Sequence, residues 1–164
     1  MKEIELSKNG KNKGKYVALV DDEDFDRVNQ FNWSVYNQGK LSYAGRITKI
    51  NNVKKFTQMH CFIYGSKYID HIDGDGLNNQ RSNLRIANKS QNAMNAKKHT
   101  RSTSKYKGVY YYKRDNKWAS QIVLNNKRYY LGLFADEIDA AKAYDKKAIE
   151  LFGEFAKLNF KYSE

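Results

Sequence analysis

One cysteine, Cys61, stands in a chain of 164 residues. An internal disulfide and a cysteine-based zinc cluster are therefore excluded, and a reducing interior is the compartment this suits. Long apolar runs are missing too, and with them any helix able to cross a bilayer. Met1-Lys2-Glu3-Ile4 lacks the hydrophobic core of a secretion signal, so the expectation is a cytoplasmic protein with no membrane contact. Acids are scarce: 18 Asp and Glu against 30 Lys and Arg leave a net charge of +12, and 14% of the residues are aromatic. That is the footprint of a protein that meets polyanions, with nucleic acid as the default partner. The length allows one large or two small domains, each with a modest core, and two small ones are expected.

The chemistry is concentrated between Tyr68 and Asn95. The run Tyr68-Ile69 delivers Asp70 and His71 into a loop rich in Gly, Asn and Asp, residues that accept tight turns and left-handed backbone. Order returns at Asn83-Leu84-Arg85-Ile86, and Asn88-Lys89-Ser90-Gln91 reads as a capping box opening a short helix that carries Asn92 and Asn95. The unit is strand, loop, strand, helix. Carboxylate and amide oxygens are hard ligands suited to Mg²⁺ or Mn²⁺, and one carboxylate with one amide leaves room for water and phosphate oxygens. An imidazole with an ordinary pKa near ~6.5 can take a proton from water at neutral pH. Together they suit phosphodiester hydrolysis. A calcium-binding EF-hand register fails, because Ser82 falls where a bidentate Glu is required. A polar turn without chemistry leaves Asp70-His71 and the two later asparagines unexplained. His99, in a basic stretch, reads as solvated.

This stretch, roughly Met59 to Asn95, resembles the HNH endonuclease family in its phage and intron-encoded homing version. The matching residues are Asp70-His71, Asn83 in Ser82-Asn83-Leu84-Arg85, and Asn92 in Ser90-Gln91-Asn92. The resemblance implies a ββα-metal core with His71 as general base, Asp70 and Asn92 as metal ligands, and Asn83 bracing the loop. It makes His60 the upstream histidine, followed by Cys61 where many relatives carry Arg. For a phage- or intron-encoded enzyme the cytoplasm would be that of a bacterial host.

Residues 1–58 read as a small mixed segment supporting this core. Ile4–Leu6 and Tyr16–Val20 are expected strands, and Asp21–Gln30 is an expected helix whose acidic opening suits the positive end of the helix dipole. Consecutive carboxylates there read as caps. Segments 32–37, 41–49 and 54–58 are expected to form a meander turning at Gln38-Gly39 and Asn51-Asn52, with Trp33, Tyr36 and Tyr43 as its core. The short apolar segment Met59 to Gly65 then presents His60 towards the loop.

Residues 96–104 read as a basic linker and the domain boundary. From Ala96 to Phe134 there are ten Lys or Arg against one acid, Asp115. The part from 105 to 164 reads as three strands, 107–113, 117–124 and 127–132, joined at Asp115-Asn116 and Asn125-Asn126, two-residue turns that favour twisted hairpins. Asp136 should cap a final helix that Gly153 ends, with Ile138, Ala141, Tyr144, Ala148, Leu151 and Phe152 on one stripe. Alternation puts Val109, Tyr111, Trp118, Ile122, Tyr129 and Leu131 on the helix side of the sheet. The other side collects Tyr110, Tyr112, Lys117, Gln121, Arg128 and Tyr130. With Lys107, these are the expected DNA contacts, since a three-stranded sheet can enter a DNA groove with cations on phosphates and amides or rings on bases.

This part resembles the AP2/ERF DNA-binding domain over about 55 residues: Tyr106-Lys107-Gly108-Val109, Lys117-Trp118-Ala119, Tyr130-Leu131-Gly132-Leu133-Phe134, Ala140 to Asp145, and Lys157-Leu158-Asn159-Phe160. Tyr110, Tyr112 and Tyr130 replace the family's Arg and Trp reading residues, so DNA binding carries over but a target sequence does not. The whole then reads as an α+β protein: a site-specific, metal-dependent homing endonuclease acting on double-stranded DNA, with no small-molecule cofactor. No dimer seam is visible, so a monomer that nicks one strand is expected. A DNA-binding regulator built on an inactive HNH scaffold and an RNA-directed nuclease are the alternatives.

Overall fold

Paired asparagines make the turns of this protein. Asn51 and Asn52 have φ of 48° and 63°, and Asn125 and Asn126 have 50° and 63°; left-handed backbone at both central positions is what a tight twisted hairpin needs. The computed structural model describes residues 1–38, 41–96 and 102–162. The expected Gln38-Gly39 turn, residues 97–101 of the expected linker and His99 fall at or outside these limits.

Two compact units are formed, Met1–Asn88 and Lys89–Glu164. In the first, β1 (Lys2–Glu5) pairs antiparallel with β2 (Val17–Val20), and α1 (Asp22–Asn29) follows. A meander of β3 (Ser34–Gln38), β4 (Leu41–Ile50) and β5 (Val53–Gln58) leads into α2 (Met59–Tyr64). Gly65 closes α2 in left-handed conformation, φ 76°, its N–H donating to the Cys61 carbonyl. Then β6 (Ile69–His71) and β7 (Leu84–Ile86) pair antiparallel around a loop. Ile4, Val20, Val28, Trp33, Met59, Ile69 and Leu84 belong to one core, so residues 1–58 and the β6–β7 hairpin fold as one body. The buried Trp33 indole donates to the Val28 carbonyl at 2.8 Å. Tyr36 and Tyr43, expected in the meander's core, remain partly exposed, because Ala44 and not Tyr43 faces inward.

The second unit contains α3 (Lys89–Asn95), the antiparallel sheet β8 (Val109–Tyr112), β9 (Lys117–Leu124) and β10 (Lys127–Phe134) in the order β10-β9-β8, and α4 (Glu137–Phe152). The division falls between Asn88 and Lys89 rather than in the expected linker. Met94 of α3 packs against the cluster of Ile122 and Tyr144, and its carbonyl receives the Lys107 ammonium at 2.5 Å. Asp136 caps α4 by accepting from Ile138 N and Asp139 N, and Gly153 ends it. Ala140, Ala141, Tyr144, Ala148 and Phe152 are buried against the sheet, whereas Ile138, expected on that stripe, is 42% exposed. Gly108 has φ of 78°, and a Cβ there would lie 1.9 Å from the Tyr144 ring. Asp145 is wholly buried and accepts from Asn159 N, Asn159 Nδ2, Phe160 N and Tyr162 Oη. Asn159 also accepts from Lys107 N at 2.6 Å and donates to its carbonyl at 3.1 Å. The residues after α4 are thus tied to the start of the sheet through one carboxylate.

Candidate active site and nucleic-acid surface

The pairing of β6 with β7 sets Asp70 opposite Arg85 and His71 opposite Leu84. Asp70 Oδ2 accepts from Arg85 Nε at 3.1 Å and Nη2 at 3.0 Å. His71 is 5% exposed, with Nε2 3.3 Å from Asn79 Oδ1. The Asn79 amide donates through Nδ2 to the Leu77 carbonyl at 3.0 Å, so its oxygen faces the ring, the proton sits on Nε2, and the basic lone pair belongs to Nδ1. Burial lowers the His71 pKa, against the opposing effects of the Asn79 bond and of Asp73, Asp70 and Asp75. The imidazole is therefore neutral at physiological pH.

His60 on α2 stands edge-on to His71 with ring centroids 4.7 Å apart, and the Tyr43 ring lies 6.1 Å from His60 and 5.9 Å from His71. His60 is 4% exposed. Its Nδ1 is buried with no hydrogen-bond partner among the described residues. Burial, and then the neighbouring His71, push its pKa down to about 3.

Asn83 joins the two ends of the loop. It accepts from Asp73 N at 3.0 Å and donates to Asp73 Oδ1 at 2.9 Å and the Asn78 carbonyl at 2.8 Å. The loop is also held by β2, because Leu19 N donates to the Leu77 carbonyl and Asn79 N to the Leu19 carbonyl. The acidic start of α1 holds it as well. The Asp21 side chain makes no cap; it accepts from Arg81 N at 2.7 Å. Asp24, 2% exposed, takes Arg81 Nε at 2.7 Å and Arg27 Nη2 at 2.6 Å. The carboxylates read as caps thus anchor the loop across 57 residues of sequence.

Asn92 lies on α3 in the second unit, and its Oδ1 is buried without a partner among the described residues. Among those residues no group of three or more His, Cys, Asp or Glu is gathered to hold a metal. The oxygens of Asp70 and Asn92 suit Mg²⁺ or Mn²⁺ by donor type, and a buried amide oxygen without a donor fits a cation ligand.

Asn79, Arg85, Arg81 and Tyr43 escaped the sequence reading of the site. Asn79 looks like any turn asparagine. Arg85 could have been found by folding strands 69–71 and 84–86 onto one another.

In the second unit the sheet register sorts the faces as alternation requires: Tyr110 pairs with Ala119, Tyr112 with Lys117, Tyr130 with Gln121 and Arg128 with Val123. A bulge between Tyr130 and Gly132 shifts the register and carries β10 on to Phe134, two residues past its expected end, so that Leu133 pairs with Ala119. Tyr110, Tyr112, Arg114, Ala119, Tyr130 and Leu133 line a shallow concavity of about 260 Å³. Tyr130 is 59% exposed, and Lys117 and Arg128 on the same face are exposed as well. Lys107 lies elsewhere. It precedes β8, its ammonium is engaged by Met94, and burial, followed by repulsion from Lys157, lowers its pKa to about 8.

A neutral buried histidine with a carboxylate next to it in the chain, followed by a sheet face with exposed basic and tyrosine side chains, has the groups for acid–base chemistry and for nucleic-acid contact. Comparison with known proteins gives the class its family. The HNH endonuclease family model matches residues 56–94, and that of the AP2 domain residues 104–154. An uncharacterized HNH endonuclease of Acanthamoeba polyphaga mimivirus is 32% identical over 161 residues, spanning 92% of this chain and 78% of that protein. The chain belongs to the HNH endonuclease family and carries an AP2 domain. Protein 3.8 of Escherichia phage T7 is 32% identical over 90 residues, covering 55% of this chain and 74% of its own. APETALA2-like protein 2 of Oryza sativa is 42% identical over 62 residues, 38% of this chain and 14% of the plant protein.

Proposed function

We propose that the protein is a DNA endonuclease in which His71 deprotonates the attacking water and the AP2 sheet holds the substrate. The observation that carries this reading is the state of His71: buried, neutral, and oriented through Nε2 by an asparagine whose own amide is fixed. Nδ1 takes the proton as water attacks phosphorus in line. Asn83 keeps the loop closed so that the ring cannot swing, and Arg85 fixes the Asp70 carboxylate. Asp70 and Asn92 are the ligands for a divalent cation, which when bound would neutralise charge on the phosphate and the departing 3′ oxygen. The products are 5′-phosphate and 3′-hydroxyl ends. Arg128, Lys117 and Arg114 supply phosphate contacts, while Tyr110, Tyr112, Gln121 and Tyr130 meet the bases. One active site in a monomer cuts one strand.

The test is conversion of supercoiled plasmid with Mg²⁺, with and without chelator. Nicked circles should precede linear DNA, and His71→Ala should abolish nicking while leaving DNA affinity nearly unchanged, because the base acts on water and not on ground-state binding. Undiminished nicking by His71→Ala would refute the mechanism.

A further inference from the structure

The sheet of the first unit is uneven. β3 pairs with β4 only as far as Gly45, whereas β4 and β5 continue together to Ile50 and Val53. From Arg46 to Thr57 the meander is a two-stranded ribbon ending in the Asn51-Asn52 turn. Such ribbons are at best marginal alone, and this one exposes its large apolar residues: Ile47 54%, Ile50 59%, Val53 67% and Phe56 46%. Apolar groups held out this way mark a contact surface. The register puts Ile47 beside Phe56 and Lys49 beside Lys54, on the face that carries Tyr43; Ile50 and Val53 pair at the tip, and Lys55 lies opposite Thr48. No Asp or Glu occurs between Arg27 and Asp70.

We propose that this ribbon is a second DNA-binding element, docked in a groove of the duplex beside the bond to be cut. Charge selects the partner: Lys49, Lys54 and Lys55 flank the apolar tip without a single acid, which suits phosphates on either side of a groove and Ile50 and Val53 on its floor. Position selects the place. Tyr43 touches both histidine rings, and the strand runs outward from it. The six steps from Tyr43 to Lys49 span about 20 Å, about six base pairs of duplex. The inference rests on duplex DNA being the substrate and adds contacts that the AP2 sheet does not make.

Two full-chain variants test it, Lys49→Ala/Lys54→Ala/Lys55→Ala and Ile50→Ser/Val53→Ser, each checked for native tryptophan fluorescence. Affinity for labelled duplex oligonucleotides of mixed sequence is measured across a salt series with chelator present, so the readout is independent of cleavage. The lysine variant should lower the magnitude of the slope of log K against log salt by about 2–3 and weaken binding roughly 10- to 100-fold at physiological salt. The length of duplex covered per molecule should shrink by about six base pairs in both variants. Unchanged slope and covered length overturn the proposal, as does a wild-type dimer that both variants turn into monomers, which would make the ribbon an interface between copies. Normal ribbon behaviour without metal-dependent nicking would instead refute the nuclease reading alone.

Discussion

Acid should destabilise the first unit at pH values above the ordinary carboxylate range, and His60 is the reason. A histidine in the unfolded chain binds its proton near pH ~6.5, but in the folded protein burial and the neighbouring His71 hold the pKa at about 3. Between these values the unfolded state binds more protons, so stability rises with pH across the window and falls on acidification. From pH 7.5 to pH 5 the loss from His60 is about 2 kcal/mol, a large part of a small domain's stability. His71, also lowered by burial, adds to it in the same direction. Stopping at pH 5 stays above the ordinary carboxylate range. The assay is urea unfolding followed by Trp33 fluorescence in a Trp118→Phe background, since Trp33 lies in the core of the first unit and Trp118 in the sheet of the second. In His60→Leu the pH 7.5 to pH 5 difference should shrink by about 2 kcal/mol, leaving the share of His71. Equal wild-type stability at both pH values, or an undiminished slope in His60→Leu, would refute the reasoning.

Gly108→Ala should unfold the second unit, because the new methyl meets the Tyr144 ring at 1.9 Å on left-handed backbone; a loss of more than about 3 kcal/mol is expected, read by Trp118 fluorescence. Arg81→Ala leaves Asp24 with Arg27 alone and releases the loop from α1, costing about 1–3 kcal/mol. Amide exchange at Asn79 and Asn83 should quicken while α4 is unaffected. Arg128→Ala together with Tyr130→Ala removes an exposed cation and a ring from the open sheet face, and DNA affinity should fall about 10-fold or more with a shallower salt dependence. Unaltered affinity in that double variant would displace the AP2 sheet as the reading surface.

The parts legible in the sequence are those governed by near neighbours. Asparagine pairs placed the hairpin turns, Asp136 and Gly153 bounded the last helix, and alternation separated Tyr110 and Tyr130 from Trp118 and Ile122. Asp70-His71 marks the candidate site because two residues able to do chemistry stand together before a turn. What stayed hidden depends on residues far apart in the chain. Nothing local distinguishes Asp24 as a partner of Arg81, Asn79 as a partner of His71, or Lys107 as a partner of the Met94 carbonyl. The bulge at Tyr130–Gly132 breaks the two-residue period, so alternation carries the strand only to Gly132 while β10 runs on to Phe134.

The AP2 match ends at residue 154, yet Asp145 is satisfied by Asn159, Phe160 and Tyr162. The portable module is therefore longer than the recognisable motif. A recombination or engineered fusion that cut the chain behind α4 would carry every named residue of the sheet face and strip the buried Asp145 carboxyl of the donors it draws from Asn159, Phe160 and Tyr162. Transfer of this reader between proteins is possible only as a segment that includes the closing clasp, which sets a physical limit on where such genes can be joined.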